Sequence, residues 1–84
     1  MNRLTSKVAV VTGASLGIDH ACAERLAQEG AAVALFDVLD EAGSSLAATL
    51  AAAGHRAAYW HVDVSDESRV REALQAVAAR FGAL

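Results

Sequence analysis

Eighty-four residues suffice for one small domain and not for two. With 55% hydrophobic and 20% charged residues, six glycines and no proline, the composition excludes both disorder and a collagen-like repeat. A formal charge of −3 offers no basic face with which to displace counterions, which excludes nucleic acid and an anionic membrane surface as partners.

The segment Met1 to Lys7 carries Arg3 and Lys7, but the apolar run behind it is too short for a signal segment or a membrane span, so neither export nor anchoring is expected. That run, Val8 to Val11, is β-branched and continuous, the pattern of a parallel strand buried on both faces. It ends at Thr12-Gly13. From Ile18 the spacing turns helical: Ile18, Ala21, Cys22 and Leu26 form the inner stripe, Glu24, Gln28 and Glu29 take the other side, and Gly30 closes the helix. Cys22 is expected as a small buried core residue. As the one cysteine it closes no disulfide within the chain, and with no metal-ligand cluster beside it a reducing compartment, the cytoplasm, is expected.

A second buried strand, Ala32 to Phe36, leads to Asp37. Asp40 is placed to cap the next helix, with Glu41 in its first turn, an inner stripe of Leu46, Ala47, Leu50 and Ala53, and Gly54 at its end. Arg56 to Val62 reads as a third strand in which Tyr59 and Trp60 supply bulk, and it stops at Asp63. Ser65 is the expected cap of a third helix, with Asp66 and Glu67 near its positive end and Val70, Ala73, Leu74, Val77, Ala78 and Phe81 along its inner face to Gly82. Alanine fills about a quarter of the chain, and aromatic residues are few, which favours helices packed close to a sheet. The order implies an α/β fold of the doubly wound parallel, Rossmann-like type, as its N-terminal β-α-β-α-β-α half. Residues 1–84 read as one unit, the N-terminal half of a doubly wound domain, with further strands expected on the far side of the first.

The segment Thr12-Gly13-Ala14-Ser15-Leu16-Gly17-Ile18 joins the first strand to the first helix. Glycines there let backbone N–H groups approach a diphosphate, and the helix N-terminus adds partial positive charge, although the same turn also serves where a connection simply needs glycines. Asp37 stands twenty residues beyond Gly17, where a carboxylate can accept hydrogen bonds from both hydroxyls of a ribose; its other reading is a turn residue. The carboxylate would repel a 2′-phosphate, and no Arg or Lys stands at Leu16, Val38 or Leu39, so NAD(H) is expected rather than NADP(H).

The glycine turn, Asp37 and Asp63-Val64 resemble the N-terminal part of a short-chain dehydrogenase/reductase, and the likeness runs from Lys7 to Gly82. The resemblance implies Gly13, Ser15, Leu16, Gly17 and Ile18 around the diphosphate, Asp37 with Val38 at the ribose, and Asp63 and Val64 at the adenine. It implies an NAD(H)-dependent oxidoreductase moving a hydride between nicotinamide and a small alcohol or carbonyl substrate. One position departs from the pattern: Asp19, followed by His20, stands where the family has its third glycine, and a carboxylate there is expected to weaken dinucleotide binding unless it points to solvent.

The proton relay that the resemblance implies, a Ser with Tyr-x-x-x-Lys, is not in this chain: Tyr59 is followed at plus four by Asp63, and the only lysine is Lys7. No catalytic residue is assigned, and the chain by itself is expected to be inactive. His20, His55 and His61 are expected in solvated or locally hydrogen-bonded roles. Two other readings stay open, a non-catalytic module that binds an adenine nucleotide, and a truncated fragment that self-associates into a homo-oligomer through the open edge of its first strand.

Overall fold

The computed structural model describes residues 7–13 and 17–82, with the side chains of residues 17–19 left aside. The elements follow the order expected: β1 (Val8–Thr12), α1 (Gly17–Gln28), β2 (Ala32–Asp37), α2 (Asp40–Ala52), β3 (Ala57–His61) and α3 (Glu67–Phe81). The three strands are parallel in the order β1-β2-β3, with Val8 level with Ala32, Val33 with Ala57, and Asp37 with His61.

Side-chain alternation along the strands divides the core into two layers. Val11, Val33, Leu35, Ala57 and Tyr59 face α1 and α2, meeting Ala23, Ala27, Leu46 and Leu50. Val8, Val10, Ala34, Phe36 and Trp60 face α3, where Ala73, Val77 and Phe81 close over them. Trp60 lies edge-on to both Phe36 and Phe81, with ring centroids 6.2 Å apart in each pair. Two helices on one face and the third on the other is the arrangement of a sheet wound in both directions.

β2 is buried at every position, as its continuous apolar run implies. β1 departs from the expectation of burial on both faces: Val8, Ala9 and Val10 are only half-buried and Val11 alone is buried. Among the described residues β1 has a paired strand on one side only, β2.

α1 is rotated from the expected face. Ala23 and Ala27 are buried and Leu26 packs from the flank, while Ala21 and Cys22 are exposed. One residue of helix is a turn of about 100°, and with alanines at 21, 23 and 27 the stripe is poorly marked in the sequence. The sheet accepts the smallest side chains, which lets the helix axis lie close to the strands. Cys22 is therefore an exposed free thiol and not a core residue.

Two caps also fall elsewhere. α2 has Leu39 at its N-cap with no side-chain bond, and Asp40, its first residue, turns its carboxylate to β3 instead. α3 is capped by Asp66, which accepts from the Arg69 N–H at 3.1 Å, because the Ser65 hydroxyl already donates to Asp63 at 2.7 Å. Ala53, expected on the inner stripe of α2, is the exposed C-cap, and Gly43 takes a buried place on that face. The helix ends at Gly30 and Gly54 are as expected, each closed by a pair of backbone bonds to the last turn.

Candidate functional site

Parallel strands bring their carboxyl ends to one edge of the sheet, and in open α/β sheets that is where ligands bind. A cleft of about 170 Å³ opens there, with Gly13 from the end of β1, Phe36 and Asp37 from β2, and Val62 and Asp63 beyond β3 in its lining. Val38 and Val64 complete it. A larger cleft, about 290 Å³, lies between the C-terminal ends of α1 and α2, at the amino ends of the strands and away from the glycine turn.

Gly13 has φ of 64°, a left-handed conformation that suits glycine, and its N–H donates to the Phe36 carbonyl at 2.9 Å, tying the turn to β2. Asp37 is only 8% exposed, the one charged residue among the described residues that is buried. Its Oδ1 accepts from the backbone N–H of Val38 at 2.7 Å and of Leu39 at 3.2 Å, which fixes the start of the following turn. Its carbonyl oxygen accepts twice, from Val62 N–H and from the Tyr59 hydroxyl, each at 2.9 Å.

Asp63 is held at the other wall of the cleft. Its Oδ1 accepts from the hydroxyl and the N–H of Ser65, and these two bonds, the hydroxyl's first, hold its carboxyl below the usual range. Among the described residues the exposed large apolar side chains are Val38 at 49%, Leu39 at 43% and Val64 at 57%, and two of the three line this cleft. An apolar pair flanked by two carboxylates offers a planar heterocycle two faces and offers hydroxyl or amino groups two acceptors.

Of the residues expected at the site, Gly13, Asp37, Val38, Asp63 and Val64 thus come together in one cleft. Gly17 is the first residue of α1. Ser15, Leu16 and the side chains of Ile18 and Asp19 lie outside the described residues.

A cluster the sequence did not announce lies behind the Asp37 turn. The Tyr59 hydroxyl lies 2.6 Å from Asp40 Oδ1, and His61 Nδ1 lies 2.6 Å from the same oxygen. Asp40 is held below its ordinary range by the Tyr59 bond first and the His61 bond second. An ionised carboxylate only accepts, so His61 Nδ1 carries the proton of their bond. His61 and His20, which pairs with Glu24 at 3.1 Å, have the local hydrogen-bonded roles expected of them.

Burial, and then the Asp40 carboxylate, push the Tyr59 phenol well above its ordinary value of 10.0. The folded state favours the neutral phenol, so this stabilisation is complete below pH 10 and is lost as pH climbs past the ordinary value. Tyr59 is the one tyrosine of the chain, so a tyrosinate absorbance titration reads it alone. The folded chain is expected to show no phenolate step at the ordinary value, and half-ionisation near pH 10 with the fold intact would refute this placement.

The fold, with its open carboxyl edge, is that of one half of a doubly wound, Rossmann-like sheet. Residues 7–84 match the family model for short chain dehydrogenases, and the chain belongs to that family. Cis-4-hydroxycyclohexanecarboxylate dehydrogenase of Sinomonas cyclohexanicum is 47% identical over 78 residues, which cover 93% of this chain and 31% of that protein. 2,5-dichloro-2,5-cyclohexadiene-1,4-diol dehydrogenase of Sphingobium indicum is 40% identical over 84 residues, covering 100% of this chain and 32% of that one. The crystal structure of a short chain dehydrogenase from Burkholderia cenocepacia in complex with NADP matches with a TM-score of 0.89 at 43% identity, covering 96% of this chain and 34% of that one. The chain spans about a third of the length of the curated relatives it matches.

Proposed function

We propose that this chain is the adenosine-binding part of an NAD(H)-dependent oxidoreductase acting on a small alcohol or carbonyl compound. What carries the reading is the convergence of Asp37, Asp63, Val38 and Val64 on one cleft beside the Gly13 turn. These residues fit an adenosine: Asp37 accepts from the ribose hydroxyls, Val38 and Val64 take the faces of the adenine, and Asp63 accepts from its amino group. Gly13 and the amino end of α1 at Gly17 are the groups suited to meet the diphosphate. When bound, the nicotinamide cofactor supplies or accepts the hydride. The residues of this chain bind and orient it and move no proton, since the sequence holds no Tyr-x-x-x-Lys pair.

Asp37 supports NAD(H) over NADP(H): among the described residues the cleft lining carries two carboxylates and no cation to meet a 2′-phosphate. The NADP in the Burkholderia structure favours the second reading, NADP(H). Equilibrium titration of the intact protein decides, and NADH is expected to bind about tenfold or more tightly than NADPH. Tighter NADPH binding would sink the NAD assignment, and dinucleotide binding with no hydride transfer to any alcohol or carbonyl would favour the non-catalytic module. The exposed, unpaired Cys22 supports a reducing, cytoplasmic setting, and the open edge of β1 supports pairing with further strands or with a second copy.

A further inference from the structure

Val38 and Leu39 project from the turn between β2 and α2 and are exposed, so core packing does little to fix them. The turn is held at its two ends, Asp37 and Asp40, and one side chain reaches both. The Tyr59 hydroxyl sits 2.9 Å from the Asp37 carbonyl and 2.6 Å from Asp40 Oδ1, so its proton is shared between two acceptors that lie 22 and 19 residues before it, one at each end of the turn. The Tyr59 ring is carried by β3, beside Leu35 in the register, and lies against Gly43 of α2. His61, two residues on and therefore on the same face of the sheet, donates to the same Asp40 oxygen at 2.6 Å.

We propose that Tyr59, with Asp40 as its acceptor and His61 as its support, is a positioning latch that sets the Asp37–Asp40 turn for nucleoside binding. The inference rests on the reading of the cleft as an adenosine site. Tyr59 touches no ligand in this account. It acts through the Asp37 carbonyl, and so through the direction in which the Asp37 carboxylate and Val38 are presented. The carboxylate supplies acceptors for the ribose and Val38 an apolar wall, and both shift if either end of the turn is released.

The test uses NADH and AMP as probes on the intact protein. Tyr59→Phe keeps the ring on Gly43 and removes only the hydroxyl, and Asp40→Ala removes the shared acceptor. Each is expected to raise the Kd of both probes about fivefold, as loss of one such hydrogen bond implies. The double variant is expected to lose no more than the larger of the two single losses, because the two residues act as one unit. Amide exchange at Val38 and Leu39 is expected to quicken in Tyr59→Phe by more than the accompanying fall in the thermal midpoint accounts for. If the parent protein binds both probes and Tyr59→Phe binds them as well as the parent, the latch is wrong and the cleft stands. Additive losses that track a falling thermal midpoint also overturn it, as they mean general destabilisation. If the parent binds neither probe, the adenosine reading fails and the latch fails with it.

Discussion

Gly43→Ala is expected to destabilise the chain, although alanine is the better helix former. A methyl group on Gly43 would overlap Cδ1 and Cε1 of Tyr59 and come within 3.1 Å of Cζ. Overpacking of this kind costs about 1–3 kcal/mol, against a gain of about 1 kcal/mol from replacing a glycine inside a helix. The net expectation is a loss of about 1 kcal/mol, or a thermal midpoint lower by roughly 4–8 °C for a domain of this size. The sign should reverse when the ring is gone: in a Tyr59→Ala background, Gly43→Ala is expected to raise the midpoint, since only the helix-forming gain remains. The two backgrounds together isolate the contact, and the same sign in both would show that the ring does not rest on Gly43. The functional consequence travels the same route. A ring pushed off Gly43 takes its hydroxyl away from the Asp37 carbonyl, so weaker NADH binding is expected to accompany the loss of stability.

Gly43 also marks where sequence patterning stopped being informative. Its place inside α2 carries a helix-propensity cost, and such a glycine signals a close approach by some other element. The approaching group, Tyr59, is sixteen residues away and on a different element, so local periodicity could not name it. Long-range register settles it, through the pairing of Leu35 with Tyr59. The caps shifted for a related reason. Asp40 has an oxygen suited to capping, but Tyr59 and His61 are stronger claimants for it, and Ser65 spends its hydroxyl on Asp63. The face of α1 was ambiguous because its alanines mark several sides. By contrast β2 and α3 were legible, one from an unbroken apolar run and the other from a stripe whose Ala73 and Val77 lie at its centre. The cleft was legible for a topological reason: in a parallel sheet every strand ends on the same edge, so Gly13, Asp37 and Asp63, each just past or at a strand end, must be neighbours.

Asp37→Asn is expected to change which dinucleotide the protein prefers while leaving the turn in place. The amide keeps an oxygen for the N–H groups of Val38 and Leu39, which Oδ1 holds at 2.7 Å and 3.2 Å, so the backbone geometry that the carboxylate organises should survive. What is lost is the charge. Hydrogen bonds from ribose hydroxyls to a carboxylate are worth about 1.5–3 kcal/mol, and replacing the acceptor by a neutral amide should raise the NADH Kd by about tenfold. The same change removes the repulsion that a buried carboxylate exerts on a 2′-phosphate, so NADPH should bind no worse than before and the ratio of the two affinities should move toward one. Asp37→Ala separates the two roles: it deletes both the charge and the turn's acceptor, and should weaken NADH and NADPH alike. Kd values for both dinucleotides across the three proteins provide the check. A parallel tenfold loss for both in Asp37→Asn would mean that residue 37 holds the turn and does not read the ribose, and NAD preference would then need another source.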